Sequence, residues 1–175
     1  AQQGLDVTVV ETAATPGGKV RQLVVDGAAI DSGPTVFTMR WVFDQILASV
    51  GTTLEAELRI RPLPVLARHW WDDGSSLDLF ADPARSFDAV AQFAGPDEAR
   101  RFQGFCAQAK SAYQSLEGPY IRSASPSMLG MSMGLGLRGL ATLAALGPMR
   151  SLWHSLGQHF TDPRLRQLFG RYATY

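Results

Sequence analysis

The stretch VTVVETAATPGGKVRQLVVDGAAIDSGPTVF, from Val7 to Phe37, decides how the first part of the chain is expected to fold. It begins with Val7–Val10, a short and mostly apolar run that is typical of a parallel strand buried on both faces. Glu11 ends the run, and a carboxylate at the carboxyl end of such a strand can accept a hydrogen bond from a dinucleotide ribose. The rest of the stretch predicts a glycine turn followed by a strand, a turn and another strand.

Two small-residue motifs flank those predicted strands. The first is Gly17-Gly18-Lys19, with Arg21 two residues further on. Paired glycines let a backbone approach a phosphate closely, and the two cations would offset its charge. The second motif, DSGPT over residues 31–35, predicts a turn where a flat ring system could lie against main chain. Each motif alone is weak, but their order and spacing favour a nucleotide site over an ordinary strand-turn-strand unit.

Composition and length set the outer limits of the interpretation. The chain has 175 residues, and its 46% hydrophobic content is enough for a packed core. The opening AQQG is typical of a helix that closes on Gly4, and we expect a strand and a glycine-rich turn to precede it. We therefore expect an internal fragment, truncated at both ends. The single cysteine, Cys106, fits a reducing compartment and is predicted to be a packed core thiol.

The charges are unevenly distributed although they balance overall. Residues 1–117 carry 15 acidic and 10 basic side chains, a net charge of −5, while residues 118–175 carry 1 and 6, a net charge of +5. The positive charge of residues 118–175 predicts an acidic or phosphate-bearing neighbour, or a contact with residues 1–117. Its basic residues are dispersed and are not interleaved with aromatic residues, so no nucleic-acid partner is expected.

The remaining chain predicts a second, mixed domain. A helix is predicted over Met39–Val50, and Asp73-Gly74 predicts a β-hairpin whose first strand is an edge strand or bulged because of its prolines. We place the first domain at residues 1–54 and the second at residues 55–175. Dipeptides that combine a capping residue with proline predict three helix starts, at Asp82-Pro83, Gly95-Pro96 and Asp162-Pro163.

The segment Ser123–Phe160 differs in character from the rest of the chain. It is rich in methionine, leucine and glycine, and no carboxylate occurs between Glu117 and Asp162. This composition suits a long irregular apolar ligand or a bilayer face, with plain core packing as the alternative. His154 and His159 have no third ligand near them in sequence, so they are interpreted as surface histidines and no metal site is predicted.

The motifs together resemble a known superfamily. A glutamate before a Gly-Gly-Arg/Lys motif resembles the flavin-binding segment of the amine oxidase and phytoene desaturase superfamily. Over its whole length the chain resembles bacterial carotenoid desaturases of the phytoene desaturase type. The stretches LARHWWDDGSSLDLFAD and RQLFGRYATY are most similar to members that act on hydroxyneurosporene or methoxyneurosporene. The resemblance implies an α/β fold, with part of a Rossmann-like FAD-binding domain followed by a mixed α+β substrate domain.

The resemblance also implies a cofactor, a reaction and a place in the cell. FAD would accept hydrogen from a C–C bond of a long polyene, the 3,4 bond in the subfamily. The resemblance implies a carotenoid substrate and a membrane surface as partners. It also implies a cytoplasmic, peripheral location on a bacterial inner or photosynthetic membrane. No catalytic residue is assigned. Glu11 would bind the adenosine ribose, Gly17, Gly18, Lys19 and Arg21 would lie near the pyrophosphate, and Gly33, Pro34 and Thr35 near the isoalloxazine.

Three alternatives remain open from sequence. One is phytoene desaturase activity proper, and another is a flavin amine oxidase on the same fold, against which the Met/Leu/Gly-rich segment argues. The third is a membrane-associated carotenoid-binding protein without activity. A carrier has no need of a nucleotide cradle, so Glu11 and the glycine pair argue against it. The oligomeric state is not predicted.

Overall fold

Residues 2–34, 36–125 and 151–174 are described by the computed structural model, which divides the chain into two units, Ala1–Pro62 and Leu63–Tyr175. The described residues contain both helices and strands, in agreement with the expected mixed content. The assignment of residues 1–54 to a cofactor domain and residues 55–175 to a substrate domain stays a prediction.

The first unit is built on an antiparallel β-hairpin. Strand β1 (Arg21–Val25) pairs with β2 (Ala28–Ser32), in a register that runs from Arg21 opposite Ser32 to Val25 opposite Ala28. Asp26 and Gly27 connect the strands with φ values of 51° and 80°. Two successive positive φ values are the geometry that matches the twist of a two-residue hairpin. The predicted order of strand, turn and strand after the glycine pair is therefore confirmed.

The prediction of a buried strand over Val7–Val10 is wrong for the part of the chain that the structure describes. These residues form no strand, and Val9 and Val10 are 81% and 87% exposed. A strand is stabilised by a hydrogen-bonded neighbour, and the β1–β2 hairpin pairs only with itself among the described residues. An apolar run therefore indicates a tendency to be buried. It does not specify the neighbouring strand that would bury it.

Two helices complete the first unit. Helix α1 (Arg40–Ser49) confirms the helix predicted over Met39–Val50, and it is followed by Gly51 with a φ of 83°. Helix α2 (Leu54–Glu57) begins after Thr53, whose hydroxyl accepts a hydrogen bond from the Ala56 amide. Leu54 is fully buried and anchors this short helix.

The second unit begins with the predicted hairpin. Strand β3 (Val65–Trp70) pairs antiparallel with β4 (Ser76–Phe80), and the intervening turn contains Gly74 with a φ of 79°. The register shifts between Val65 and Ala67, so the irregularity predicted from Pro62 and Pro64 is confirmed.

Four α-helices follow in the described residues. They are α3 (Pro83–Ala94), α4 (Pro96–Leu116), α5 (Leu152–His159) and α6 (Pro163–Gly170), with a π-helical turn at Glu117–Ile121 and a 3₁₀ turn at Arg171–Thr174. The three helix starts predicted from capping residues and prolines are confirmed. The core between them contains mostly aliphatic and aromatic side chains, namely Leu77, Val90, Ala99, Phe102, Leu156, Phe160, Leu165 and Leu168.

Helix α4 contradicts the predicted burial of Cys106. Phe102 is buried, but Cys106 is exposed instead of lying in the core. The side chains of this 21-residue helix that pack in or against the core are Ala99, Phe102 and Phe105, and Cys106 is not among them. Partial desolvation nevertheless raises the pKa of the Cys106 thiol, so the thiolate that a nucleophile requires is disfavoured.

The start of helix α6 yields a testable expectation about stability. Asp162 Oδ1 accepts a hydrogen bond from the Arg164 amide at 2.8 Å, and its Oδ2 lies 2.8 Å from the Arg164 guanidinium. That guanidinium, the largest cause, and the amide hold the pKa of Asp162 below its usual range. The stabilisation is therefore fully present above the unfolded-state pKa of an aspartate, and it is lost as the pH falls through the lower folded-state pKa.

We expect Asp162→Ala to lower the free energy of unfolding by about 1–2 kcal/mol at neutral pH, because a helix start loses its cap. Asp162→Asn keeps a capping side chain and removes only the charge, so it should lose less. Thermal unfolding of the two variants from pH 3 to pH 7 tests this. Equal losses at pH 7 would show that the charge, and not the cap, stabilises this helix.

Part of the sequence-based hypothesis lies outside the described residues. The structure does not describe residues 126–150. This range includes Arg138, Arg150 and most of the segment predicted to touch a bilayer. Over the parts of the chain that the structure describes, no helix combines the length and apolar character needed to cross a membrane.

Candidate functional site

The candidate site begins with the glycine pair that leads into β1. Gly17 and Gly18 have φ values of 135° and 58°, and the Val20 amide donates a hydrogen bond to the Gly17 carbonyl at 3.0 Å. A Cβ added to Gly17 would lie 2.8 Å from the Val20 carbonyl oxygen, whereas one added to Gly18 would meet nothing within 4 Å. Gly17 thus closes the loop, and Gly18 presents open backbone that a ligand can approach.

A cavity of about 490 Å³ lies beside this loop. Its lining includes two of the predicted residues, Arg21 and Pro34, in the set Thr15, Val20, Arg21, Gln22, Asp31, Ser32 and Pro34. The predicted phosphate side and the predicted ring side of the site therefore border one space. Gly33 lies between Ser32 and Pro34, with its Cα facing the main chain of Lys19.

Gln22 lines this cavity and was not among the predicted site residues. Its Nε2 donates a hydrogen bond to Asp31 Oδ1 at 2.9 Å, across the register pair Gln22–Asp31. The cavity therefore combines the cationic Arg21 with a carboxylate that is held in place by a neighbour. Gln22 could have been found from sequence only by pairing the two strands around the Asp26-Gly27 turn.

Glu11 is exposed and ionised. The Ala13 amide donates a hydrogen bond to Glu11 Oε1 at 2.9 Å, and the Thr12 hydroxyl donates one to the same atom at 3.4 Å. The hydrogen bond from the Ala13 amide is the largest cause that holds the pKa of Glu11 below its usual range. An ionised carboxylate that is already oriented by its own turn is a good acceptor for a sugar hydroxyl.

The structure does not bring all eight predicted residues to one cavity. Among the described residues, Arg21 and Pro34 line the cavity and the other predicted residues do not, namely Glu11, Gly17, Gly18, Lys19 and Gly33. The main chains of Lys19 and Gly33 lie against each other. Thr35 lies outside the described residues. The role of each predicted residue therefore stays a prediction.

A larger cavity, of about 740 Å³, lies in the second unit between the β3–β4 hairpin and α3. Its three arginines are already engaged by the protein. Arg68 makes two hydrogen bonds to Asp78, at 2.6 and 2.7 Å, Arg164 pairs with Asp162, and Arg85 stacks over the ring of Phe80 at 4.1 Å. Size alone therefore does not make this cavity the candidate site. No cluster of three potential metal ligands occurs among the described residues.

The residues predicted for this site, two of which line the smaller cavity, fit a phosphate-bearing dinucleotide. Gly18 leaves a backbone face open, Lys19 and Arg21 supply positive charge next to it, and Glu11 supplies an ionised acceptor for a sugar hydroxyl. These are the chemical needs of a pyrophosphate and of an adenosine ribose.

Comparison with known proteins agrees with this chemistry. Residues 1–165 match the family described as flavin containing amine oxidoreductase. A hydroxyneurosporene desaturase of Rubrivivax gelatinosus is 60% identical over 176 residues, which cover 100% of this chain and 34% of that protein. A hydroxyneurosporene desaturase of Cereibacter sphaeroides is 44% identical over 175 residues, 100% of this chain and 35% of that protein. A phytoene dehydrogenase of Streptomyces griseus is 34% identical over 172 residues, 98% and 33% of the two chains. The chain spans about a third of the length of these curated relatives.

Proposed function

Because the chain belongs to the flavin containing amine oxidoreductase family, we propose that it is part of an FAD-dependent carotenoid desaturase. The observation that carries the proposal is the 60% identity to a hydroxyneurosporene desaturase over the whole chain. The proposed reaction removes hydrogen from a C–C bond of a long polyene, at the 3,4 position of hydroxyneurosporene or methoxyneurosporene. The proposed architecture is part of a Rossmann-like FAD-binding domain followed by a substrate domain.

The proposed reaction requires a redox cofactor and needs no nucleophile from the protein. A saturated C–C bond in a polyene has no neighbouring carbonyl to activate it, so a redox cofactor must supply the chemistry. FAD, when bound, supplies the acceptor for two electrons and hydrogen. In the proposed arrangement Glu11 accepts a hydrogen bond from the adenosine ribose, Lys19 and Arg21 offset the phosphate charge, and Gly33 and Pro34 border the ring. No catalytic residue is assigned among the described residues.

The test uses the full-length protein that contains this chain, reconstituted with FAD and with carotenoid in liposomes. Each new double bond lengthens the conjugated polyene, so product formation appears as a red-shifted absorption spectrum and a new peak in chromatography. We expect hydroxyneurosporene or methoxyneurosporene to be converted. Conversion of phytoene alone would assign the protein to phytoene desaturases. Amine oxidation without polyene conversion would indicate an amine oxidase, and polyene binding without bound flavin would indicate a carrier.

We further propose that the protein acts at a membrane surface, on the cytoplasmic side of a bacterial inner or photosynthetic membrane. A carotenoid is effectively insoluble in water and must be collected from lipid. Arg138 and Arg150 lie in an apolar stretch without carboxylates, a composition suited to anionic headgroups. Arg122 is left out of the test because its guanidinium lies 2.8 Å from a Glu117 carboxylate oxygen, which already offsets its charge.

We expect the double variant Arg138→Glu/Arg150→Glu of the full-length protein to bind anionic liposomes at least about tenfold more weakly, since each cation near such a surface contributes about 1 kcal/mol. The matched control is Arg59→Glu/Arg61→Glu, which makes the same charge change in the acidic part of the chain. Flotation with phosphatidylserine vesicles measures the binding. Equal loss in both variants would indicate a general charge effect, and loss of flavin or stability without loss of binding would indicate that the segment packs in the core.

A further inference from the structure

Gly33 has two separate reasons to be glycine. Its φ of +120° lies in the region that side chains rarely adopt, and a Cβ added to it would clash with the Lys19 carbonyl oxygen. Gly27, in the turn at the other end of the same hairpin, also has a positive φ, +80°, but an added Cβ would meet nothing within 4 Å. The contact with Lys19 therefore distinguishes Gly33 from a glycine that serves only its own turn.

This contact joins the two motifs of the candidate site. The glycine loop is closed by the hydrogen bond from the Val20 amide to the Gly17 carbonyl, and the hairpin pairing ends at Arg21 opposite Ser32. Gly33 follows Ser32 directly, and Lys19 lies two residues before Arg21. Because no side chain separates them, the main chain of the glycine loop touches the main chain that leads to Pro34. The chain neighbours of these two residues, Val20, Ser32 and Pro34, line the cavity.

We propose that Gly33 is a positioning residue that couples the phosphate side of the cofactor site to its ring side. Its missing side chain lets the Lys19 carbonyl lie against it, so that one FAD molecule can contact both sides at once. This inference rests on the proposed function, because it takes FAD as the cofactor. Gly33 acts through the main chain of Lys19, whether or not it also contacts the ring.

The experiment compares Gly33→Ala with Gly27→Ala in the full-length protein. Both substitutions place a side chain at a positive φ in the same hairpin, and only the first meets the Lys19 carbonyl. The apoprotein of each variant is titrated with FAD and, separately, with ADP, which carries the adenosine and pyrophosphate but no flavin ring. Circular dichroism and thermal unfolding of each apoprotein check the fold.

We expect Gly33→Ala to raise the Kd for FAD at least about tenfold while the Kd for ADP changes less than about threefold, because ADP needs only one side of the site. Gly27→Ala should leave both Kd values near wild type. The inference is overturned if FAD and ADP binding fall together, if neither falls, if Gly27→Ala has the same effect, or if only Gly33→Ala fails to fold. Failure of the wild-type apoprotein to bind FAD would instead overturn the proposed function, and this inference with it.

Discussion

Leu156→Ala should lower the free energy of unfolding of the second unit by about 2–5 kcal/mol, the cost of removing buried methyl groups and leaving a cavity. Leu156 is 1% exposed and belongs to the core formed by β4 and the surrounding helices. It lies on α5, four residues before Phe160, which is also 1% exposed. The ring of Phe160 stacks on that of Phe169, with ring centroids 5.3 Å apart. Little room exists for these rings to fill the space that Leu156 would leave.

Leu152→Ala is the matched control for that prediction. It makes the same chemical change one helical turn earlier on α5, at a side chain that is 38% exposed. We expect it to cost less than about 1 kcal/mol, because fewer buried contacts are lost and no closed cavity forms. Urea unfolding of the full-length variants, followed by far-UV circular dichroism, measures the difference. Equal losses at the two positions would contradict the placement of Leu156 at the centre of the core.

Helix starts and tight turns were predicted correctly from sequence, because residues close together in the chain decide their conformation. Asp82 and Asp162 cap the helices predicted to follow them, since a carboxylate next to a proline satisfies the first free amides of a helix. The Asp73-Gly74 hairpin formed for a similar reason, because its turn requires a residue at positive φ. In each case the partner atoms lie within a few residues along the chain.

Predictions that depended on distant partners were less successful. Val7–Val10 has the composition of a buried strand, but its burial requires a neighbouring strand that local composition cannot specify. Cys106 was predicted to lie in the core, but α4 packs against the core through Phe102 and Phe105, and Cys106 is exposed. Periodicity identifies a face, whereas burial along that face depends on tertiary neighbours.

The candidate site shows the same division. Sequence indicated which residues suit a dinucleotide, since glycines, cations and a carboxylate each have a known chemical use. It did not indicate that Gly33 touches Lys19, fourteen positions away, or that Gln22 holds Asp31. Both contacts arise from the register of one hairpin, which becomes visible only when the strands are paired.

Replacing Glu11 by alanine in the full-length protein is expected to weaken FAD binding by about 10- to 100-fold, because a sugar hydroxyl would lose a charged acceptor. The Ala13 amide orients Oε1 and holds the pKa of Glu11 below its usual range, so the carboxylate is ionised at neutral pH. The contribution of Glu11 to FAD affinity should therefore be constant near pH 7 and should fall only as the pH approaches its lowered pKa. Asp6→Ala, which removes another exposed carboxylate from the same segment, is the matched control.

FMN separates a ribose role of Glu11 from a general effect on the fold, because FMN carries the flavin and one phosphate but no adenosine. Glu11→Ala should weaken binding of FAD and leave the weaker binding of FMN unchanged. Excess FAD should then restore desaturation of the polyene, since the proposed role of Glu11 is in holding the cofactor and not in the reaction. Equal weakening of FAD and FMN, or activity that excess FAD cannot restore, would argue against a ribose contact and would place Glu11 in the local turn with Ala13 alone.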